Sequence, residues 1–171
     1  MIYFIRHGET NYNTEHRIQG QLDIPLNSKG ISQAEIMAEK LKDIAIDRIY
    51  SSPLRRTKQT ATIINKYHNI EIVYDDRLKE FYGGHIQGRT YNEMTDEEKK
   101  RALDDPEYWH GESNESMKGR TIKFYKEIMD SSENILVVSH GGVWRHIHRY
   151  KNGIPDNEPV PAPPNCEILE I

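Results

Sequence analysis

The sequence predicts an α/β fold, a three-layer sandwich in which helices flank a mostly parallel central sheet. Four short apolar runs are bounded by polar residues and mostly lack alternation of apolar and polar positions, which is typical of strands buried on both faces of a parallel sheet. Helical patterns lie between these runs, and strands that alternate with helices indicate βαβ units. The four runs are residues 2–5, 48–50, 71–74 and 135–138.

The helices are predicted from apolar residues at helical spacing and from capping residues. Asn27 and Ser28 are N-cap candidates for a first long helix. Ser52-Pro53 predicts the start of a second helix, because proline is favoured in the first turn, and Ala61 and Ile64 would face the core. The apolar stripes are Ile31, Ala34, Met37 or Ala38, Leu41 and Ala45 in the first helix, and Met117, Thr121, Phe124, Tyr125 and Ile128 in a later one.

The remaining segments predict a charged helix, a loop and an edge strand. Thr95 and Glu98 form a potential capping box before a charged helix that stops near residues 104–106. Residues 154–165 hold five prolines and predict a surface loop, and residues 166–171 alternate as an edge strand would. Since no internal repeat, low-complexity tract or linker interrupts the pattern, we expect residues 1–171 to form a single domain.

Composition excludes several classes of function. The chain has 171 residues, 29% of them charged, with a net charge of −4 and no basic block, so nucleic acid is not an expected partner. No apolar run approaches the roughly 20 residues that span a bilayer, and the N-terminus lacks the pattern of a signal peptide. A single cysteine excludes an internal disulfide. We therefore expect a soluble, cytoplasmic protein without a membrane partner.

Two of the predicted strands end in similar histidine motifs. His7-Gly8 comes just after the first strand, and His140-Gly141 comes just after the fourth. In an open parallel sheet, ligands bind outside the carboxyl ends of the strands. Glycine at such a position lets the backbone approach a ligand closely. The repeated motif therefore predicts that both histidines lie at a ligand site.

Two further strand ends add charge to this site. Arg55 and Arg56 fall in the first turn of a predicted helix, where the helix dipole disfavours a cation unless an anion binds there. We expect Arg55 to face solvent and Arg56 to face such an anion. Glu80 lies beyond the third strand and before a glycine-rich turn, a position suited to a general acid. His146 and His148 fall on different faces of a helix, a poor arrangement for a shared metal.

Histidines, arginines and a carboxylate around an anion suggest phosphoryl transfer without a metal. A neutral imidazole can attack phosphorus, arginines can neutralise the phosphoryl oxygens, and a carboxylic acid can protonate the leaving oxygen. The sequence has no aspartate cluster and no Gly-x-x-x-x-Gly-Lys loop to hold magnesium and a nucleotide.

The ordered motifs resemble those of the histidine phosphatase superfamily, which has the phosphoglycerate-mutase-like fold. They cover most of the chain in the family's order, so the resemblance does not depend on any single short motif. The matching segments are Arg6-His7-Gly8-Glu9-Thr10 with Asn13, Arg17-Ile18-Gln19-Gly20, residues 23–34, residues 52–61, residues 80–88, Gly111-Glu112-Ser113 and Ser139-His140-Gly141-Gly142.

The resemblance implies a role for each matching residue. His7 would be the nucleophile that becomes phosphohistidine, and Glu80 would donate a proton to the leaving group. Other residues would bind the phosphoryl group, and the family uses no metal or organic cofactor for this step. These binding residues are Arg6, Arg56, His140 and Asn13, with the backbone near Gln19, Gly20 and Gly141.

The branch of the family is less clear from the motifs than from their spacing. Ile86-Gln87-Gly88 stands where phosphatases often carry Trp-Glu-Gly, whereas the glycine pair and Gln87 resemble the mutase branch, so this motif leaves the branch open. Mutases have an extended insertion between the glutamate and the second histidine, whereas sixty positions separate Glu80 from His140. We therefore expect a phosphomonoester phosphatase that uses water as acceptor, with a phosphoglycerate mutase and a non-catalytic phospho-ligand sensor as the alternatives.

The substrate and the oligomeric state stay open at this level. The resemblance implies a small phosphorylated metabolite, of the α-ribazole phosphate, phosphoserine or sugar-phosphate type. The strand predicted at residues 166–171 could pair with a second copy, which would form a homodimer.

Overall fold

The computed structural model describes residues 1–101 and 108–171. Its strands are β1 (Ile2–Arg6), β2 (Arg48–Ser51), β3 (Ile72–Tyr74), β4 (Ile135–Ser139) and β5 (Ile168–Glu170). Within these residues they form one sheet in the order β3-β2-β4-β1-β5. The first four strands pair in parallel, and β5 is antiparallel to β1. The predicted mostly parallel sheet and the predicted edge strand are confirmed.

The helices are α1 (Asn11–Thr14), α2 (Ser28–Leu41), α3 (Arg55–Ile64), α4 (Asp96–Arg101), α5 (Asn114–Ile128) and α6 (Gly141–Asn152). Helices α2 and α3 cover one face of the sheet, and α5 and α6 cover the other. Short 3-10 turns connect these elements at Asn65–Tyr67, Asp76–Leu78, Gly84–Ile86 and Tyr91–Glu93. The structure therefore has the three layers that the sequence predicts.

The central strand β4 shows how the two cores are divided. All five of its residues are buried. Because successive side chains of a strand point to opposite faces, Ile135 and Val137 join the core under α5 and α6, whereas Leu136 and Val138 join the core under α2 and α3. A strand that is apolar on both faces therefore reads as a continuous apolar run in the sequence.

Helix α2 begins where the sequence predicts. The Asn27 side chain accepts a hydrogen bond from the Gly30 N–H at 2.8 Å, which satisfies one of the free amides of the first turn. The stripe that is buried against the sheet is narrower than predicted. Ile31 lies at its edge and is 42% exposed, and Ala45 lies beyond the end of the helix and is exposed. The buried residues are Gly30, Ala34, Met37, Ala38 and Leu41.

The predicted start of α3 at Ser52-Pro53 is wrong. The helix begins at Arg55, because Leu54 is extended (φ −71°, ψ 145°) and serves as the N-cap residue. The Asp23 carboxylate then accepts the Arg55 N–H at 2.7 Å, which supplies the acceptor that the first turn needs. Arg55 is exposed, as expected, and Ala61 and Ile64 are buried, as expected.

Two strands differ from their predicted form, β3 in its burial and β5 in its first residue. β3 is not buried on both faces, because it is an edge strand: Ile72 is half-buried and Tyr74 is exposed. β5 begins at Ile168 instead of residue 166, because Cys166 has a left-handed backbone (φ 54°) that does not fit a strand.

The charged helix α4 has the predicted capping box. The Thr95 N–H donates to the Glu98 carboxylate at 2.7 Å, and the Glu98 N–H donates to the Thr95 hydroxyl at 3.1 Å. Its predicted end near residues 104–106 lies outside the described residues. In the part of the chain that the structure describes, no helix is both long and apolar enough to cross a bilayer.

A close backbone contact holds α2 against the loop after β1. A Cβ atom on Gly30 would lie 2.1 Å from the Glu9 carbonyl oxygen, and one on Gly8 would lie 2.5 Å from the Gly30 carbonyl oxygen. Contacts this short between backbone groups leave no space for a methyl group. The loop that carries His7 is therefore positioned by glycine-to-backbone packing.

We expect Gly30→Ala to lower the free energy of unfolding by about 1–3 kcal/mol, because the added methyl group forces the two segments apart. Urea denaturation measures this change. Gly119→Ala is the matched control, since a Cβ at Gly119 in α5 would have no heavy atom within 4 Å. There alanine is expected to stabilise the helix by about 0.5–1 kcal/mol. Equal effects of the two substitutions would contradict the packing interpretation.

Candidate active site

The two histidine motifs meet because β1 and β4 are adjacent. Arg6 is paired with Ser139 at the ends of these parallel strands, so His7 and His140 follow at equivalent positions. Their ring centroids are 5.3 Å apart. Both side chains are buried, with His7 3% exposed and His140 fully buried. The structure therefore places both histidines at the carboxyl edge of the sheet, where the sequence predicts them.

The hydrogen bonding of His7 determines which ring nitrogen is free. Its Nδ1 lies 2.7 Å from the Gly8 carbonyl oxygen, which can only accept, so Nδ1 carries the proton. Burial lowers the pKa of His7 well below its ordinary value, and the charges of Arg56 and Arg6 lower it further. The ring is therefore neutral near pH 7, and its Nε2 keeps a lone pair. Such a nitrogen can act as a nucleophile.

His140 contacts Ser52, which the sequence predicts as a helix start and a motif residue but not as a site residue. Its Nε2 lies 2.8 Å from the Ser52 hydroxyl, and its Nδ1 is buried without a partner among the described residues. Burial lowers the pKa of His140 well below its ordinary value, with further contributions from Arg56 and His7. Ser52 directly follows β2, which neighbours β4, so the strand-end rule that located His140 could also have located Ser52.

Two arginines, the buried Arg56 and the half-buried Arg6, bring positive charge to the histidines. Arg56 is fully buried and donates to the carbonyl oxygens of Gly20 at 2.7 Å and Leu22 at 2.9 Å. Burial lowers its pKa to about 10, so the guanidinium is still charged at neutral pH. Arg6 donates to the Pro163 carbonyl at 2.8 Å. Neither arginine forms an ion pair with a described residue, so their charges are available to an anionic ligand.

A cavity of about 260 Å³ opens beside these groups, and we call it the His7 cavity. Seven of the nine predicted site residues line it. Its lining residues are Arg6, His7, Asn13, Arg17, Ile18, Gln19, Gly20, Arg56, Glu80, Phe81 and Arg145. His140 and Gly141 are the two predicted residues outside this lining. His140 lies against the His7 ring, and a Cβ on Gly141 would lie 2.8 Å from the Ala162 Cβ.

The polar residues after β1 are oriented by Thr10. Its backbone N–H donates to the Asn13 side-chain oxygen at 3.1 Å, and its hydroxyl donates to the Gln19 side-chain oxygen at 3.0 Å. Because these bonds use the amide oxygens, the amide nitrogens of Asn13 and Gln19 keep N–H groups that can donate to a ligand. Both side chains line the His7 cavity.

The Glu80 carboxylate is held by backbone N–H groups. Its two oxygens accept from the Phe81 N–H at 2.9 Å and from the Gly142 N–H, in the first turn of α6, at 3.2 Å. The backbone carbonyl oxygen of Glu80 accepts hydrogen bonds from the Gln21 side chain at 2.9 Å and from the Arg120 side chain at 3.1 Å. The carboxylate therefore has a defined position at the wall of the His7 cavity.

Arg120 and Gln87 bind backbone groups of the segments that form the site. The sequence pattern did not predict this role for them. Arg120 pairs with Glu112 at 2.7 Å, and the same guanidinium binds backbone carbonyls leading to Glu80. The Gln87 side-chain oxygen accepts the Gln21 N–H at 2.7 Å. Gln87 and Glu112 both lie in segments that match the family's motifs. Only contacts between distant segments show which groups these side chains bind.

The arrangement combines four chemical capabilities in one place. A neutral histidine offers a free Nε2, and a second buried histidine lies beside it. Two guanidinium groups, one buried and one half-buried, lack an ion-pair partner among the described residues, and a carboxylate lies at the cavity wall. Such a site can bind a phosphoryl group, attack it and exchange a proton with its ester oxygen.

Comparison with known proteins agrees with this chemistry. The family model described as the histidine phosphatase superfamily (branch 1) matches residues 2–171. A curated relative from Escherichia coli, "Probable phosphoglycerate mutase GpmB", is 38% identical over 148 residues, which cover 82% of this chain and 69% of the relative.

Two solved structures are similar over nearly the whole fold. The α-ribazole phosphatase from Shigella flexneri is 25% identical with a TM-score of 0.77, covering 90% of this chain and 80% of that one. A mycobacterial glucosyl-3-phosphoglycerate phosphatase, solved with VO3, is 28% identical with a TM-score of 0.76, covering 90% of this chain and 82% of that one. The chain belongs to the histidine phosphatase superfamily.

Proposed function

We propose that this protein is a metal-independent phosphomonoester phosphatase that acts through a phosphohistidine on His7. One arrangement carries the proposal: the free Nε2 of His7 lies in a cavity lined by Arg6 and Arg56, neither of which forms an ion pair with a described residue. A dianionic phosphoryl group would neutralise both charges and place its phosphorus near the nucleophile. The substrate is a small phosphorylated metabolite.

In the first step, the His7 Nε2 lone pair attacks phosphorus, and the bond between phosphorus and the ester oxygen breaks. Glu80, carrying a proton, transfers it to the leaving oxygen, so the alcohol departs neutral. Arg6, Arg56 and His140 bind the phosphoryl oxygens, with Asn13 and Gln19 as further donors. The Gly8 carbonyl accepts a hydrogen bond from the Nδ1 proton of His7, which keeps the proton on Nδ1 and leaves Nε2 unprotonated.

In the second step, water attacks the phosphohistidine and the bond between nitrogen and phosphorus breaks. The Glu80 carboxylate, now ionised, accepts the proton of that water. Inorganic phosphate leaves, and His7 regains its lone pair. The net reaction converts a phosphomonoester and water into an alcohol and phosphate.

A phosphoglycerate mutase is the second candidate, because a relative that is 38% identical bears that name. A mutase must return the phosphoryl group to its substrate and keep water away from the intermediate. The sixty positions between Glu80 and His140 leave little chain for an enclosing cap, which favours water as the acceptor.

The two candidates can be distinguished by supplying 3-phosphoglycerate with and without a bisphosphoglycerate primer. We expect release of inorganic phosphate to exceed formation of the isomeric phosphoglycerate under both conditions. Coupled spectrophotometric assays measure both products in the same sample. Isomerisation that depends on the primer and outpaces phosphate release would establish the mutase instead. Binding of phosphate without turnover of any ester would favour the sensor.

A further inference from the structure

A second, larger cavity adjoins the His7 cavity along helix α6. It has a volume of about 570 Å³ and we call it the α6 cavity. Glu80, Phe81 and Arg145 line both cavities, so the two adjoin at the proposed proton donor. Helix α5 and the proline-rich loop contribute the remaining walls. The cavity's other lining residues include Glu112, Gly142, His146, Arg149 and Asp156.

Helix α6 presents one polar stripe to this cavity. Gly142, Arg145, His146 and Arg149 are spaced by three, one and three residues, which places them on one helix face. The stripe begins at the Gly142 N–H that binds Glu80. With a rise of about 1.5 Å per residue, Arg149 lies about 10 Å along the axis from Gly142. A ligand bound along the stripe would therefore extend away from the site of proton transfer.

The acidic residues of the α6 cavity other than Glu80 are already paired with cations. Glu112 forms an ion pair with Arg120 at 2.7 Å. Asp156 forms one with Lys118 at 2.5 Å. Neither carboxylate forms an ion pair with an arginine of α6. The pKa of Asp156 is lowered mainly by Lys118 and less by Arg149, so Arg149 keeps positive charge that a ligand can use.

Among the described residues, the two arginines of the stripe donate side-chain hydrogen bonds only to backbone carbonyls. Arg145 donates to the Val160 carbonyl at 2.9 Å, and Arg149 donates to the Glu158 carbonyl at 2.5 Å. Neither forms an ion pair within residues 1–101 and 108–171. Each guanidinium has five N–H groups, so donors remain after these bonds. The proline-rich loop thus holds both side chains in place without neutralising them.

Buried polar atoms in the stripe also lack partners. His146 is 6% exposed, and its Nδ1 has no hydrogen-bond partner among the described residues. The Nε of Arg149 is likewise buried and unpartnered in that part of the chain. Buried polar groups in folded proteins are usually hydrogen-bonded, so these two atoms keep hydrogen-bonding capacity that a bound ligand can use.

We propose that the α6 cavity binds the alcohol portion of the substrate and that Arg145 and Arg149 bind a second anionic group on it. This rests on the proposed function for the identity of the first group, the ester phosphate in the His7 cavity. The substrate class is therefore a phosphomonoester whose alcohol carries a carboxylate or phosphate several bonds from the ester. Esters of neutral alcohols of the same size bind more weakly.

The test compares two ligands that differ only in the second anion. The ligand 6-phosphogluconate has a carboxylate at the far end of a six-carbon chain, and glucitol 6-phosphate has a hydroxymethyl group there. Their affinities are measured by calorimetry on the His7→Ala variant, which cannot form the phosphohistidine. We expect 6-phosphogluconate to bind at least about tenfold more tightly, because its carboxylate accepts charge-assisted hydrogen bonds.

Adding Arg149→Gln or Arg145→Gln to this background is expected to reduce the preference. Lys151→Gln is the matched control, since Lys151 is an exposed cation in the last turn of α6 and lines neither cavity. It should leave the preference unchanged. Equal affinities for the two ligands, or a preference that survives both arginine substitutions, would overturn the proposal. Because binding is measured without turnover, failure of the phosphatase reaction in the wild type would be a separate result.

Discussion

Replacing His7 with alanine is expected to lower kcat for p-nitrophenyl phosphate by about 10⁴-fold or more, because the covalent route disappears with its nucleophile. The Nε2 of His7 is the nitrogen left free by the bond from Nδ1 to the Gly8 carbonyl. Steady-state release of p-nitrophenolate measures the loss. The same experiment on the wild type, quenched during turnover, should yield an acid-labile phosphoryl group on the peptide that contains His7.

A control separates loss of the nucleophile from loss of the fold. His148→Ala removes another histidine, one that stacks on Trp144 with a centroid distance of 4.8 Å and lines neither the His7 cavity nor the α6 cavity. It should keep nearly full activity. Thermal unfolding of His7→Ala should remain cooperative, since the bond lost with the ring leaves only one carbonyl acceptor. Hydrolysis that survives in His7→Ala at the wild-type rate would remove His7 from the mechanism.

Replacing Glu80 with glutamine is expected to slow hydrolysis of an alkyl phosphate by about 10²–10⁴-fold, because an alkoxide leaves poorly without a proton. The weakly basic p-nitrophenolate needs little protonation, so its release should fall far less. Glycerol 2-phosphate and p-nitrophenyl phosphate form the pair of substrates, and the ratio of their kcat/KM values is the readout. If the ratio of kcat/KM for p-nitrophenyl phosphate to kcat/KM for glycerol 2-phosphate is larger in Glu80→Gln than in the wild type, Glu80 is the proton donor.

The hydrogen bonds of Glu80 show why Glu80→Gln needs a control for local displacement of the side chain. Its two oxygens accept from the N–H groups of Phe81 and Gly142, and a glutamine side chain has only one oxygen to offer. Local displacement would slow both substrates by a common factor. Glu112→Gln alters another carboxylate of the α6 cavity and should change both rates equally. If Glu80→Gln also slows both substrates equally, Glu80 is not the proton donor.

The arrangement of the site followed from strand ends that the sequence makes visible. Each histidine motif directly follows an apolar run, so its place at the carboxyl edge of a parallel sheet was predictable from neighbouring residues alone. The same holds for Arg56, which lies in the first turn of α3, a few residues after β2. Glu80 was placed with the others by the resemblance and by its position before a glycine-rich turn. Seven of the nine predicted site residues line a single cavity.

Other features of the site depend on contacts between distant segments. Ser52 reaches His140 across 88 positions, and Gly142 binds Glu80 across 62 positions. Such pairings are set by which strands are neighbours, and no local pattern encodes them. Arg145 and Arg149 were overlooked for the same reason, since a helical cation ordinarily faces solvent and only the packing of the proline-rich loop places these two around a cavity.

Local patterns in the sequence were sufficient to determine the α/β class, the cap of α2, the edge strand β5 and the motifs that carry the chemistry, because each depends on residues within a few positions of one another. The tertiary structure alone decided that β3 is an edge strand, that the Asp23 carboxylate accepts the first N–H of α3 at Arg55 and that Ser52 contacts His140. These outcomes depend on strand order, backbone contacts and burial, which arise only when segments far apart in the chain pack together.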